Sequence, residues 1–125
     1  MPEPVSIAVV DVAFISLRLV LPAIAGVLTA DGEVVALVKP QFEAGKADLR
    51  KGVVRDPKIH RRVLHEVVQA VSEVGLHPAG LTASPTRGQA GNVEFLHWAR
   101  REAPPAGFDV AAAIEAAMAE APVDR

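Results

Sequence analysis

Two short apolar runs constrain this chain more than any other feature. They are VSIAVV from Val5 to Val10 and VVALV from Val34 to Val38, and the segment LRLVLPAIAGVL lies between them. Continuous apolar runs of this length read as buried parallel strands. The segment between them suits a helix packed on the sheet, with Ser16 as its cap. Pro22 is expected to kink or delay that helix, because proline lacks an N–H and clashes with the preceding turn. Asp31-Gly32 reads as the turn into the second strand. Each run ends in a charged residue, Asp11 after the first and Lys39 after the second. In an open parallel sheet the chemistry sits beyond the carboxyl ends of the strands. Taken alone, Asp11 is either a turn cap or a functional carboxylate. Lys39 is either a snorkelling surface residue or a functional amine.

A chain of 125 residues, half of them apolar, fits one globular domain. It has no cysteine, which excludes disulfides and thiolate metal sites and fits a reducing, cytoplasmic setting. Met1 is followed by Pro-Glu-Pro rather than a basic stretch, so no signal peptide is expected. The longest apolar stretch, Leu19 to Leu28, contains Pro22 and falls short of the roughly 20 residues a membrane-spanning helix needs. The net charge is −2, but its distribution is uneven. Lys39, Lys46, Arg50, Lys51, Arg55, Lys58, Arg61 and Arg62 are opposed within their segment only by Glu43, Asp48 and Asp56. Such a local stripe is what a polyanion senses, whatever the total charge. An ordinary solvated loop and helix face would look the same.

Asp56 and Pro57 predict a helix start, and Ile59, Val63, Val67, Val71 and Val74 supply its apolar stripe up to Gly75. LHPAGLTASP predicts a third strand, interrupted by Pro78 and Gly80, and NVEFLHWAR a fourth. The connection SPTRGQAGN is too short for a crossover helix, so these two strands are expected to be antiparallel neighbours. The proline-rich APPAG leads to an alanine-rich terminal helix, FDVAAAIEAAMAEA. The expected class is α/β: a partial doubly wound, Rossmann-like methyltransferase sheet of parallel strands with an antiparallel last strand.

Four stretches, DVAFISLRLVLPAI, VALVKPQFEAG, KGVVRDPKIHRRV and SPTRGQAGNVEFL, occur in an order and spacing that resemble the TlyA family. These are FtsJ-type ribosomal RNA 2′-O-methyltransferases, often called hemolysins. The resemblance implies a catalytic Lys-Asp-Lys-Glu tetrad, of which Asp11, Lys39 and Glu94 match three members. Lys39 would then be the amine that activates a ribose hydroxyl, with Asp11 and Glu94 orienting amine and ribose. A lysine, whose free side chain titrates near about 10.4, can take a proton only where its surroundings disfavour the ammonium form. The resemblance also implies S-adenosylmethionine as cofactor, no metal, and ribosomal RNA or a ribosomal subunit as partner.

In the family the second lysine, the glycine-rich cofactor loop and an S4-type RNA-binding domain lie upstream of the matching region. The cofactor-binding residues are therefore unknown, and the chain is expected to be a fragment. Residues 1–102 would be the carboxyl-terminal half of the methyltransferase domain, and 103–125 a linker and terminal helix. Asn92 serves loop geometry first and substrate second, while Arg61 and Arg62 are the candidate phosphate contacts. His60 and His65 do not share a helix face, His77 and His97 are isolated, and no zinc site is expected. Trp98 is either a base-stacking residue or, as the more usual case, a core residue, and Glu94, within an alternating strand, reads as an outward carboxylate unless the family role holds. Two rival readings are an inactive RNA-binding remnant and a membrane-active hemolysin. Without its upstream neighbour, the strand Val5 to Val10 is expected to be an open edge that drives self-association.

Overall fold

The computed structural model describes residues 5–11, 17–43, 56–85, 92–103 and 107–121. The elements are β1 (Val5–Val10), α1 (Leu17–Val27), β2 (Leu28–Val38), α2 (Pro40–Glu43), α3 (Pro57–Glu73), β3 (His77–Ala83), β4 (Phe95–Arg100) and α4 (Val110–Glu120). They form a mixed α/β arrangement around one four-stranded sheet of order β1-β2-β4-β3. β1 and β2 are parallel, whereas β4 is antiparallel to both of its neighbours. The last strand in sequence is thus inserted between β2 and β3. The expected interruption of β3 is real: its register with β4 shifts between Pro78 and Gly80.

α3 begins as its sequence requires. The Asp56 side chain accepts from the Lys58 backbone N–H, Pro57 occupies the first turn, and Gly75 at φ +86° follows the last turn. Its apolar stripe meets the sheet through Val63, Leu64, Val67 and Val71, all buried. α1 adds Leu17 and Leu21, α4 adds Ile114 and Ala117, and the sheet adds Val34, Ala36, Val38, Phe95 and Ala99. The terminal helix therefore belongs to the same core as the residues before the 103–125 boundary.

Two local expectations are corrected. Pro22 lies inside α1, which runs from Leu17 to Val27, so it does not delay the start of the helix. Full burial of Leu17 and Leu21 on the core offsets the hydrogen bond that proline forgoes. Asp31-Gly32 does not end an element but lies within β2. The turn survives as an irregularity: Val5 pairs with Leu28 and Ile7 with Glu33, so β2 carries three extra residues there. The Thr29 hydroxyl donates to Asp31 Oδ1 at 2.8 Å. A Cβ at Gly32 would come within 3.0 Å of both Leu28 Cβ and Thr29 O, so the irregularity needs glycine at that point.

The core draws on one face of the sheet. On the other face Ile7 and Val9 are exposed, and Val35, Leu37 and Leu96 are half-buried. Trp98 shares this face and is 40% exposed, which corrects the expectation of a core tryptophan. It sits opposite Gly80, donates its indole N–H to Glu33 at 3.0 Å, and lies beside the Arg100 guanidinium. Alternation assigned Trp98 to a face, but that face carries none of the core.

His97 points the other way, into the core, at 1% exposure. Its Nδ1–H donates to the Gly80 carbonyl at 2.8 Å, while Nε2 is buried without a partner among the described residues. Burial pushes its pKa below the ordinary histidine value, partly opposed by the Gly80 carbonyl. The unfolded chain binds this proton more readily than the native one. The neutral ring's contribution is therefore complete above about pH 6.5 and is lost as pH falls through the lower native value. Urea midpoints measured from pH 7.5 down to 5 are expected to fall more steeply for the wild type than for His97→Leu. Parallel profiles would contradict this assignment.

Candidate active site

The parallel pairing of β1 and β2 brings their carboxyl ends out side by side, which places Asp11 next to Lys39. Lys39 Nζ lies 2.7 Å from Asp11 Oδ1. The two partners differ in exposure: the lysine side chain is 17% exposed and the aspartate 59%. The amine is thus sunk against the sheet while its counter-ion faces solvent.

β4 runs the opposite way, so its amino end meets this same edge. Phe95 pairs with Val38, the last residue of β2, and the residues just before Phe95 therefore lie near Lys39. Glu94 and Asn92 are both buried, at 7% and 1% exposure. Glu94 precedes the strand instead of standing within it, which corrects the outward-facing alternative. Its backbone carbonyl accepts from Ser84 N–H at 2.8 Å, fixing the start of β4 against the end of β3.

The segment after Lys39 completes the group. The Phe42 N–H donates to the Lys39 carbonyl at 2.9 Å, turning the chain into α2. That turn carries Gln41 inward, where its Nε2 donates to Glu94 Oε2 at 3.1 Å. The structure therefore gathers Asp11, Lys39 and Glu94 at one end of the sheet, together with Gln41, which sequence reading did not select; Asn92 is buried two residues before Glu94. The local signal for Gln41 was its place two residues beyond Lys39. The arrangement combines a sheltered amine, a carboxylate holding that amine, and a buried carboxylate held by a neutral amide. Chemically, the amine can donate to a bound hydroxyl and the carboxylates can accept from it, so the group can hold and orient the carrier of that hydroxyl.

Arg61 and Arg62 lie on α3 and not in this group. The Arg61 guanidinium makes a bidentate pair with Glu115 of α4, at 2.7 and 3.0 Å. That pairing holds the Glu115 carboxyl below its ordinary value. Arg62 pairs with Glu66 one turn on, at 3.3 Å. Lys46, Arg50, Lys51 and Arg55 of the basic stripe lie outside the described residues, as does the proposed cap Ser16. Among the described residues no cluster of three His, Asp or Glu side chains suits a metal ion, and no helix is long and apolar enough to cross a membrane.

The model of the FtsJ-like methyltransferase family matches residues 1–101. The 16S/23S rRNA (cytidine-2′-O)-methyltransferase TlyA of Mycobacterium tuberculosis is 44% identical over 99 residues, covering 78% of this chain and 37% of that protein. Hemolysin A of Brachyspira hyodysenteriae is 36% identical over 92 residues, covering 73% of this chain and 38% of that one. A solved structure from Streptococcus thermophilus that carries a hemolysin name superposes with a TM-score of 0.86 at 44% identity. It covers 94% of this chain and 42% of its own. The chain thus spans well under half the length of these curated relatives.

Proposed function

Since the chain belongs to the FtsJ-like methyltransferase family, in its TlyA branch, we propose that it supplies the acceptor-activating side of a ribosomal RNA (cytidine-2′-O)-methyltransferase. The observation that carries this reading is the 2.7 Å contact between Lys39 and Asp11 at adjoining strand ends, with buried Glu94 just ahead of the Phe95 that pairs with Val38. A ribose 2′-hydroxyl is a weak nucleophile at neutral pH. Lys39 Nζ takes its proton as the oxygen gains the methyl group, with the family's second lysine offsetting the carboxylates that favour the ammonium form; Asp11 holds the resulting ammonium, and Glu94 orients the ribose.

S-adenosylmethionine would supply that methyl group in the complete enzyme. The 125 residues contain no G-x-G-x-x-G or comparable loop to hold it, so this chain does not build the cofactor cradle alone. No step on the cofactor is therefore assigned to these residues. We place the cradle, with the second lysine, in the portion of the longer relatives that this chain does not cover. Titration calorimetry on the 125-residue chain is expected to show no S-adenosylmethionine binding, and micromolar binding would overturn the division of labour.

The partner in this reading is ribosomal RNA in the cytoplasm, bound through phosphates along the basic stripe and by Asn92 near the ribose. Glu115 competes with phosphate for Arg61 in this arrangement. Substituting Arg61 and Arg62 together is expected to lower RNA affinity and flatten its salt dependence by up to about 1.4 to 1.8 units of slope, if each meets one phosphate. An unchanged slope would leave both arginines as structural partners of Glu115 and Glu66. The function itself is tested by methyl incorporation from radiolabelled S-adenosylmethionine into ribosomal RNA, using this chain joined to the cofactor portion. Incorporation that needs Lys39 supports the proposal, and none at all overturns it.

A further inference from the structure

Glu94 is a buried carboxylate, and the donor on its Oε2 is the Gln41 side chain, 53 residues earlier in the sequence. Chemistry fixes which way that amide points. A carboxylate only accepts, so the Gln41 nitrogen must face it and the amide oxygen must face elsewhere. Gln41 is itself 7% exposed, and its Oε1 is buried without a partner among the described residues. Leaving a buried acceptor unmet is unfavourable, and a leucine or methionine would fill the same volume without that cost. Packing alone therefore does not account for glutamine at this position.

The hydrogen bond to Glu94 does account for it. The last torsion of a glutamate side chain is broad and roughly two-fold, so an unheld carboxylate swings between orientations. The Gln41 donor holds Oε2, and with it the direction of the other carboxylate oxygen. α2 starts immediately after Lys39, so one short turn carries both the amine and the group that aims the carboxylate.

We propose that Gln41 is a further positioning residue of this site, one that fixes the Glu94 carboxylate for the reacting ribose. The inference rests on the methyl-transfer reading above. Its test uses the complete polypeptide, this chain with its cofactor portion, and two substitutions. Gln41→Leu removes the donor at similar volume. It is expected to lower kcat by about 10- to 100-fold, as misaimed catalytic groups do, with KM for RNA and the melting temperature little changed. Gln41→Glu keeps the shape and can donate only when protonated. Its rate relative to wild type is expected to rise as pH falls.

Wild-type kcat in Gln41→Leu would overturn the proposal while leaving the function intact. So would a flat Gln41→Glu ratio across pH, or a loss of kcat that merely follows a lowered melting temperature. A wild-type enzyme with no methylation to lose, unchanged by Lys39→Ala, would overturn the function and this inference together.

Discussion

Lys39→Ala is expected to lower methyl transfer by the complete enzyme about 10²- to 10⁴-fold, the usual worth of a positioned general base. The fold should survive the change. Lys39 follows the last residue of β2, and its Asp11 partner is more than half exposed, so solvent screens much of what the pair adds to stability. Lys39→Arg is expected to fail as well, because a guanidinium stays protonated and cannot take the ribose proton. Single-turnover methylation, with circular dichroism as the control on folding, separates the chemical effect from unfolding. A near wild-type rate in either variant would remove Lys39 from the mechanism.

The second large effect concerns the isolated chain. Among the described residues β1 is hydrogen-bonded on one side only, to β2, and forms one end of the sheet. It carries no charge along its length, and Ile7 and Val9 are 59% and 76% exposed. Such a strand offers unpaired backbone groups and apolar side chains to any similar edge. A second β1 can pair with it antiparallel, Ile7 opposite Ile7, which continues the sheet across a two-fold axis. The 125-residue chain is therefore expected to self-associate as concentration rises, and Val9→Lys to keep it monomeric. Light scattering across a concentration series measures this. A wild-type monomer at high concentration, with the amides of Ile7 to Val10 exchanging freely, would show that the edge is tolerated.

What could be read from the sequence follows from how local each signal is. Asp11 and Lys39 each end their own apolar run, so their place at strand ends needed no knowledge of the rest of the chain. Their mutual contact needed only that the two runs be parallel neighbours. Glu94 reaches the same place on an antiparallel strand, whose amino end is the relevant one. Alternation in NVEFLHWAR cannot say where pairing begins, and so could not show that Glu94 lies ahead of the strand and buried. Gln41 had only its place two residues beyond Lys39 to mark it, since its partner is a carboxylate 53 residues away in the sequence. Trp98 failed for a related reason: periodicity assigns a residue to a face, while the helices of the whole fold decide which face is covered. Asp31-Gly32 was sound turn chemistry, but β2 absorbed the turn as extra residues and continued its pairing with β1.

The central claim is that these residues activate a ribose 2′-hydroxyl, and the chemistry of the product tests it directly. Alkali cleaves RNA through attack by the 2′-oxygen on the adjacent phosphate, so a 2′-O-methyl group leaves an uncleaved dinucleotide. Ribosomal RNA treated with the complete enzyme and methyl-labelled cofactor, then hydrolysed in alkali, should carry its label in alkali-resistant dinucleotides. The same treatment with the Lys39→Ala enzyme should leave them unlabelled. Label released as mononucleotides would place the methyl group on a base, and would contradict the role given to Lys39, Asp11 and Glu94.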